Sequence, residues 1–297
     1  MAFEKNTCNG AETVQISTAA FELAATTCCG PRICRLAPKG GENLLLWEPG
    51  KHGRKGWDLR GGHRVWATRP GADENEDTYT PDNDPCDTQI DGNSVTLTGA
   101  LSDRNHTRRG MRISVLDDER IEVDNFVINE GPMLYSGGVW ALTCTLPGGD
   151  AEYAVPIGDG SSWDAFTLVS FRTWADHGQG GFADEQFTVT DDLIRIVPRG
   201  IENKRAIQSH AGIIAMSSPE RNLTFAKKAE FDPAGQYPLN TNVAVYVGPD
   251  NFMVEMETMG PECTLKPGQE LHHIETWTLK NRAVALENAE IARSLFR

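Results

Sequence analysis

No stretch of this 297-residue chain comes near the ~18 consecutive apolar residues that a membrane-crossing helix requires. The opening residues, MAFEKNTCNGAETVQ, lack the basic and then apolar segments of a secretion signal. The expectation is a cytoplasmic protein with no membrane partner. Cysteine is sparse and unpatterned: there are seven, with no paired CxxC set, and Cys28-Cys29 followed by Cys34 is not a zinc spacing. Such thiols are expected to be reduced and mostly buried. Phosphate loops, dinucleotide fingerprints and nucleophile elbows are missing too. Asp82, Asn83, Asp84 and Asp87 follow no calcium-loop spacing, so neither a metal nor a cofactor is expected. Basic charge is short, with 28 Lys and Arg against 42 Asp and Glu, for a net charge of −14. That excludes nucleic acid as a partner, because its binding depends on neutralising phosphates.

Helical periodicity is almost as scarce; only the tail, about Arg282 to Phe296, carries it. What fills the chain is strand, turn, strand. Short alternating runs occur at Val95 to Leu97, Met111 to Val115, Ile121 to Ile128, Leu142 to Leu146, Phe166 to Phe171, Leu193 to Val197, Ile213 to Met216 and Val243 to Val247. Gly, Pro, Asn and Asp punctuate the gaps, as many short antiparallel strands require. Within Ile121 to Ile128 the polar pair Asp124-Asn125 breaks the alternation and predicts a bulge. No fixed-period repeat is present, which excludes propellers and solenoids. No linker divides the chain, so residues 1–297 are expected to form a single all-β domain with a short C-terminal helix.

The most informative stretch is Phe252 to Leu279. Phe252, Val254 and Met256 alternate with Glu255 and Glu257, so two carboxylates project from one face of a strand. That face is either solvated or the floor of a polar groove. A second charged feature is the basic run between Lys51 and Pro70, which includes Arg60, Arg64 and Arg69. Guanidinium groups there could grip a small anion, or pair with the acidic run from Asp73 to Asp87.

Three segments resemble a known family. The first is Gly56-Trp57 with Gly61-Gly62-His63-Arg64-Val65-Trp66 and Thr80-Pro81-Asp82-Asn83. The second is Trp140-Ala141-Leu142-Thr143 running into Pro147-Gly148-Gly149. The third is Tyr237-Pro238, then Val254 to Pro261, Leu265-Lys266-Pro267-Gly268 and His273-Ile274-Glu275-Thr276-Trp277. Together they look like a bacterial domain family of unassigned function in the galactose mutarotase-like superfamily, over roughly Asn43 to Leu279. The resemblance implies a β-supersandwich whose concave sheet face binds a small-molecule sugar or sugar acid. It does not imply one reaction, since fold does not determine chemistry.

The aldose 1-epimerases of that superfamily need a base for the C1 hydroxyl proton and an acid for the ring oxygen. Their base is a Glu on a late strand followed by a Leu-x-Pro-Gly run, which Glu257 and Leu265-Lys266-Pro267-Gly268 match; Glu255 is the neighbouring alternative. His63 and His177 are the acid candidates, the first within a resembling segment and the second on a Gly-rich mid-chain loop. His272 and His273 are adjacent and must point to opposite faces. Arg64 looks like the arginine that contacts sugar hydroxyls, and Trp57 and Trp66 could stack on a pyranose. Arg60 and Asp82 complete the candidate binding set. The leading expectation is an aldose 1-epimerase-like isomerase. The alternatives are a non-catalytic carbohydrate-binding or accessory protein, and a lyase-like enzyme acting on an acidic sugar.

Overall fold

Apolar-polar alternation is realised as two antiparallel sheets stacked face to face. The computed structural model describes residues 2–49, 58–68, 79, 81–158, 167–171 and 183–297. Among these, the first sheet runs β1 (Glu4–Cys8), β2 (Ala11–Ser17), β3 (Phe21–Thr26), β4 (Arg32–Pro38), β5 (His63–Thr68), β10 (Tyr135–Thr145), β19 (Val254–Met259), β18 (Val243–Val247), β15 (Asn203–Ile207) and β12 (Val169–Phe171), with β20 (Cys263–Leu265) beside β10. The second runs β13 (Phe187–Val189), β14 (Leu193–Ile196), β11 (Glu152–Pro156), β16 (Ile213–Ser218), β17 (Leu223–Ala229), β21 (Glu270–Lys280), β9 (Arg120–Asn129), β8 (Thr107–Val115), β7 (Ser94–Leu101) and β6 (Asp87–Asp91). The strand alternation decides what meets between them. Val65, Val139, Val245 and Met256 from the first sheet pack against Ile113, Val123, Phe225 and Trp277 from the second.

Gly61 and Gly62 let β5 start where it does. Both have positive φ, and a Cβ on either would sit 2.3 Å from the Leu46 carbonyl oxygen or 2.5 Å from that of Ile33. Two expectations are corrected. The Asp124-Asn125 pair makes no bulge: β9 stays in continuous register with β8 and β21. Asn125 is a polar residue at an inward position, and it occupies a buried polar cluster. The C-terminal helix, α1 (Ala289–Ser294), is shorter than predicted. Asn288 caps it, and the preceding segment is tied out straight by Thr224, whose hydroxyl accepts from Val284 N at 2.9 Å. The helix region seals the outer face of the second sheet, where Leu286, Ala289, Ala292 and Leu295 meet Ala154, Leu193, Ala215 and Ala226.

The centre of the sandwich is charged. Lys227 on β17 and Glu275 on β21 pair at 2.6 Å with no side-chain exposure. Lys227 Nζ also donates to Thr143 Oγ1 and to the Met256 carbonyl, both at 3.0 Å on the first sheet. Glu275 accepts from Thr258 Oγ1 at 2.5 Å and from Trp277 Nε1 at 3.0 Å. His63 Nδ1 meets Thr143 Oγ1 at 2.9 Å, its Nε2 meets Asn125 Oδ1 at 3.0 Å, and Glu275 lies 3.7 Å away. His273 Nε2 shares Thr258 Oγ1 at 2.7 Å. Burial pushes both histidines down to about 4. Burial pushes Glu275 the other way, but Lys227 and the two histidines outweigh it and hold the carboxyl at about 2.

An unfolded Glu titrates near ~4.3, so the unfolded chain takes up that proton first as pH falls. The Glu275 contribution to stability is therefore complete above that value and is lost as pH drops toward 2. Lys227→Met strands a buried carboxylate and should cost ~3–5 kcal/mol in urea denaturation. The double variant Lys227→Met/Glu275→Leu should recover most of that loss and show a shallower acid limb. A double-variant cost equal to the sum of the costs of Lys227→Met and Glu275→Leu measured singly would show that the pair is not coupled.

Candidate functional site

The two glutamates of β19 project from the face of the first sheet turned away from the core. Register sets their neighbours. Across the strands, Arg64, Leu142, Glu257, Ala244 and Ala206 form one row. Trp66, Trp140 and Met259 form the row on one side of it, and Cys144, Glu255, Tyr246 and Lys204 the row on the other. Alternation alone makes these residues share a face.

This face is not solvated: Glu257 is 0% exposed and Glu255 7%. Glu257 Oε2 accepts from Trp140 Nε1 at 2.8 Å, and its Oε1 pairs with Lys204 Nζ at 3.0 Å. The Lys204 ammonium lies 4.8 Å from the Trp140 ring centroid, which adds a cation–π contact. Burial, helped by the nearby Glu255 charge, pushes the Glu257 carboxyl up to about 7 against the pull of Lys204 and Trp140. Glu255 has different partners. Arg64 Nη2 donates to its Oε1 at 2.9 Å, and the Cys144 thiol lies 3.5 Å from the same oxygen. The Arg64 guanidinium stacks 4.3 Å over Trp66, which in turn packs against Tyr79 at 4.0 Å and edge-on to Trp140 at 5.5 Å. Glu257, Glu255, Arg64 and Trp66 are thus brought together, joined by Trp140 and Lys204.

Other candidates lie elsewhere. His63 precedes Arg64 and so points the opposite way, into the core beside Trp277, with rings 4.8 Å apart; it does not face Glu257. Asp82 is buried as the counter-ion of Arg32 at 2.5 Å. Arg60 is occupied by Asp58 at 3.0 Å, Asn83 at 2.6 Å and the Pro49 carbonyl at 2.6 Å. His177 and Trp57 lie outside the described residues, as do Lys51 and Arg69 of the basic run and much of the acidic run. His272 is exposed and His273 buried, as adjacent strand residues must be. Among the described residues no cluster of His, Cys, Asp and Glu could hold a metal ion.

Sequence reasoning gives Trp140 no site role and does not single out Lys204. The signal for Lys204 is its alternation within Asn203–Ile207, but its ion pair depends on β18 lying between β15 and β19. Cross-strand partners of that kind are set by topology and leave no mark in the local sequence.

No family model matches the chain, and none of the curated proteins searched matches it. Solved structures do. A galactose mutarotase-like protein from Lactobacillus casei ATCC 334 is 13% identical, with a TM-score of 0.64 over 90% of this chain and 100% of that one. A candidate aldose 1-epimerase from Escherichia coli K12 is 10% identical, with a TM-score of 0.62 over 90% of this chain and 98% of that one. A TPR-domain containing protein from Parabacteroides distasonis ATCC 8503 is 16% identical, with a TM-score of 0.63 over 92% of this chain. The chain spans 48%, about half, of the length of that last protein. The fold is galactose mutarotase-like, a two-sheet β-sandwich with one short C-terminal helix among the described residues.

The indole of Trp140 donates directly to Glu257, so it reports on the protonation of that carboxyl. Tryptophan fluorescence should change with a midpoint near pH 7, and the change should vanish in Glu257→Gln and Trp140→Phe. Removing the cation in Lys204→Met should shift the midpoint upward by ~1 unit or more. A midpoint unmoved by that substitution would mean that Lys204 does not hold the carboxylate.

Proposed function

We propose that the outer face of the first sheet is a sugar site and that Glu257 is the base of an aldose 1-epimerase-like reaction. The observation that carries this reading is a fully buried carboxyl at the middle of the face, held at about 7. A general base works best when its proton affinity matches the working pH, and burial tunes Glu257 to that range. The galactose mutarotase-like fold supports the substrate class.

In the reaction, Glu257 takes the proton of the C1 hydroxyl while an acid protonates the ring oxygen. The ring opens, the C1–C2 bond rotates, and closure reverses the two transfers. Arg64, paired with Glu255, stacked on Trp66 and 1% exposed, is the cation that donates to sugar hydroxyls once those contacts open. Trp66, packed against Arg64 and Tyr79, and Trp140, beneath Lys204, are buried in the wall of the proposed site and meet sugar C–H groups only once those partners move aside. His63 faces the core, so the acid role passes to the remaining candidate, His177, within the glycine-rich sequence His177-Gly178-Gln179-Gly180-Gly181. Glu257 has no exposed surface, so a hydroxyl reaches it only by displacing a group now packed there. Lys204, with 15% side-chain exposure, is the partner of Glu257 nearest to solvent.

A second reading, a carbohydrate-binding protein without turnover, is favoured by one observation. Both carboxylates already carry protein cations, Lys204 on Glu257 and Arg64 on Glu255. One-dimensional proton NMR on freshly dissolved aldoses separates the two. The wild-type protein should accelerate anomer exchange. Glu257→Gln should slow it by roughly 10²–10⁴-fold, the usual worth of a positioned base, while leaving binding largely intact. Glu255→Gln should do less, since a side chain two residues away is displaced by about 7 Å along the strand. Saturable sugar binding with no exchange on any aldose would establish the second reading.

A further inference from the structure

One side chain, that of Lys204, makes both contacts that a sugar would make at Glu257. Its Nζ lies 3.0 Å from Glu257 Oε1, the oxygen not bonded to Trp140. The same ammonium lies 4.8 Å from the centroid of the Trp140 ring, a surface on which a pyranose would pack. Register shows the path it takes. β18 lies between β15 and β19, and in it Tyr246 pairs with Lys204 while Ala244 pairs with Glu257. The Lys204 stem therefore crosses β18 to reach the carboxyl. Ala244 and Ala206, in the Glu257 row, carry one methyl each and leave room for that crossing. A second carboxylate stands near the start of the path. The Tyr246 hydroxyl donates to Glu202 Oε1 at 2.6 Å, which puts Glu202 on the same outer face, two residues before Lys204.

We propose that Lys204 is a built-in plug of the sugar site: its ammonium holds the place of the substrate hydroxyl on Glu257, and a sugar enters by sending it outward to Glu202. This inference rests on the sugar-site reading and adds how that site opens. A lysine is a compact charge on a flexible four-carbon stem, so it moves by rotation alone. Residues two apart on a strand lie about 7 Å from one another, within the sweep of that stem. Trp140, the other partner of Glu257 among the described residues, has no such freedom. Its ring packs edge-on to Trp66 at 5.5 Å in a buried apolar cluster, and turning it would open that cluster.

The exchange keeps every charge served. The ammonium has a carboxylate at both ends of its swing, and Glu257 keeps the Trp140 donor and gains the sugar hydroxyl. Lys204 holds down the proton affinity of Glu257, so its departure makes the carboxylate a stronger base as the hydroxyl arrives. A site that is closed in most molecules binds with an affinity lowered by the open fraction. The plug thus weakens binding of every aldose alike and couples entry to activation of the base.

Carbodiimide labelling with glycinamide, read by peptide mass spectrometry at neutral pH, reports access to Glu257 without any sugar. Glu257 should be labelled roughly 10-fold faster in Lys204→Ala than in wild type, and more slowly than wild type in Glu202→Gln. Glu275, between the sheets, should stay unlabelled throughout and so report an intact sandwich. Calorimetric titration with D-galactose should give a Kd roughly 10-fold lower for Lys204→Ala. On the wild-type chain, saturating D-galactose should speed acetylation of Lys204 by acetic anhydride relative to the exposed Lys266. Equal labelling of Glu257 in wild type and Lys204→Ala would overturn the plug, whatever the sugars do. Weaker galactose binding by Lys204→Ala would overturn it too, by making Lys204 a ligand of the sugar. Acetylation slowed by galactose would do the same, and that measurement needs no variant to fold. Faster labelling in Lys204→Ala with no binding of D-galactose or D-glucose to either chain would keep the plug and remove the sugar reading alone.

Discussion

The contact on which the rest of the molecule turns is the ion pair between Lys227 and Glu275, closed to solvent between the sheets. A pair in such a place is stabilising only when its remaining donors and acceptors are used, since the desolvation cost is several kcal/mol per ion by general estimate. Here they are used across the sandwich. Lys227 reaches Thr143 and the Met256 carbonyl, and Glu275 reaches Thr258 and Trp277. Apolar side chains could slide past one another at little cost. Directional bonds at full burial cannot, so the pair sets how one sheet sits on the other.

That inner lock is continuous with the candidate site because three strands serve both. On β5, His63 enters the buried cluster while Arg64 and Trp66 face outward. On β10, Thr143 is inside, and Trp140, Leu142 and Cys144 are outside. On β19, the Met256 carbonyl and the Thr258 hydroxyl are bonded from the core side, and Glu257 stands between them on the other face. The backbone on both sides of the proposed base is therefore held from behind. A base that must sit within a few tenths of an ångström of a hydroxyl benefits from such support.

The three segments that resemble the galactose mutarotase-like superfamily converge on this lock as much as on the outer face. The first supplies His63, the second Thr143, and the third Thr258, His273, Glu275 and Trp277. In this chain those motifs supply the buried cluster as well as the outer face, so a likeness carried by them speaks to architecture and not to one reaction. The fold likeness at 10–16% identity is consistent with that division.

What the sequence determined by itself is what periodicity controls. Alternation places Glu255 and Glu257 on one face, puts His272 and His273 on opposite faces, and separates His63 from Arg64 whatever the tertiary context. The pattern Arg64 and Trp66 against His63, Val65 and Ala67 already put His63 on the apolar side, although its place among family-like residues suggested a catalytic role. The all-β class was legible for the same reason. β17 was not, because LTFAKKA carries Lys227 at an inward position that no propensity favours. Only the tertiary structure decided that the acidic face of β19 is dry, that Trp140 and Lys204 hold Glu257, and that Asn125 belongs inside and forms no bulge. Burial and charge pairing join segments more than a hundred residues apart in the Trp140–Glu257 contact, and a local pattern carries no record of which distant side chain arrives.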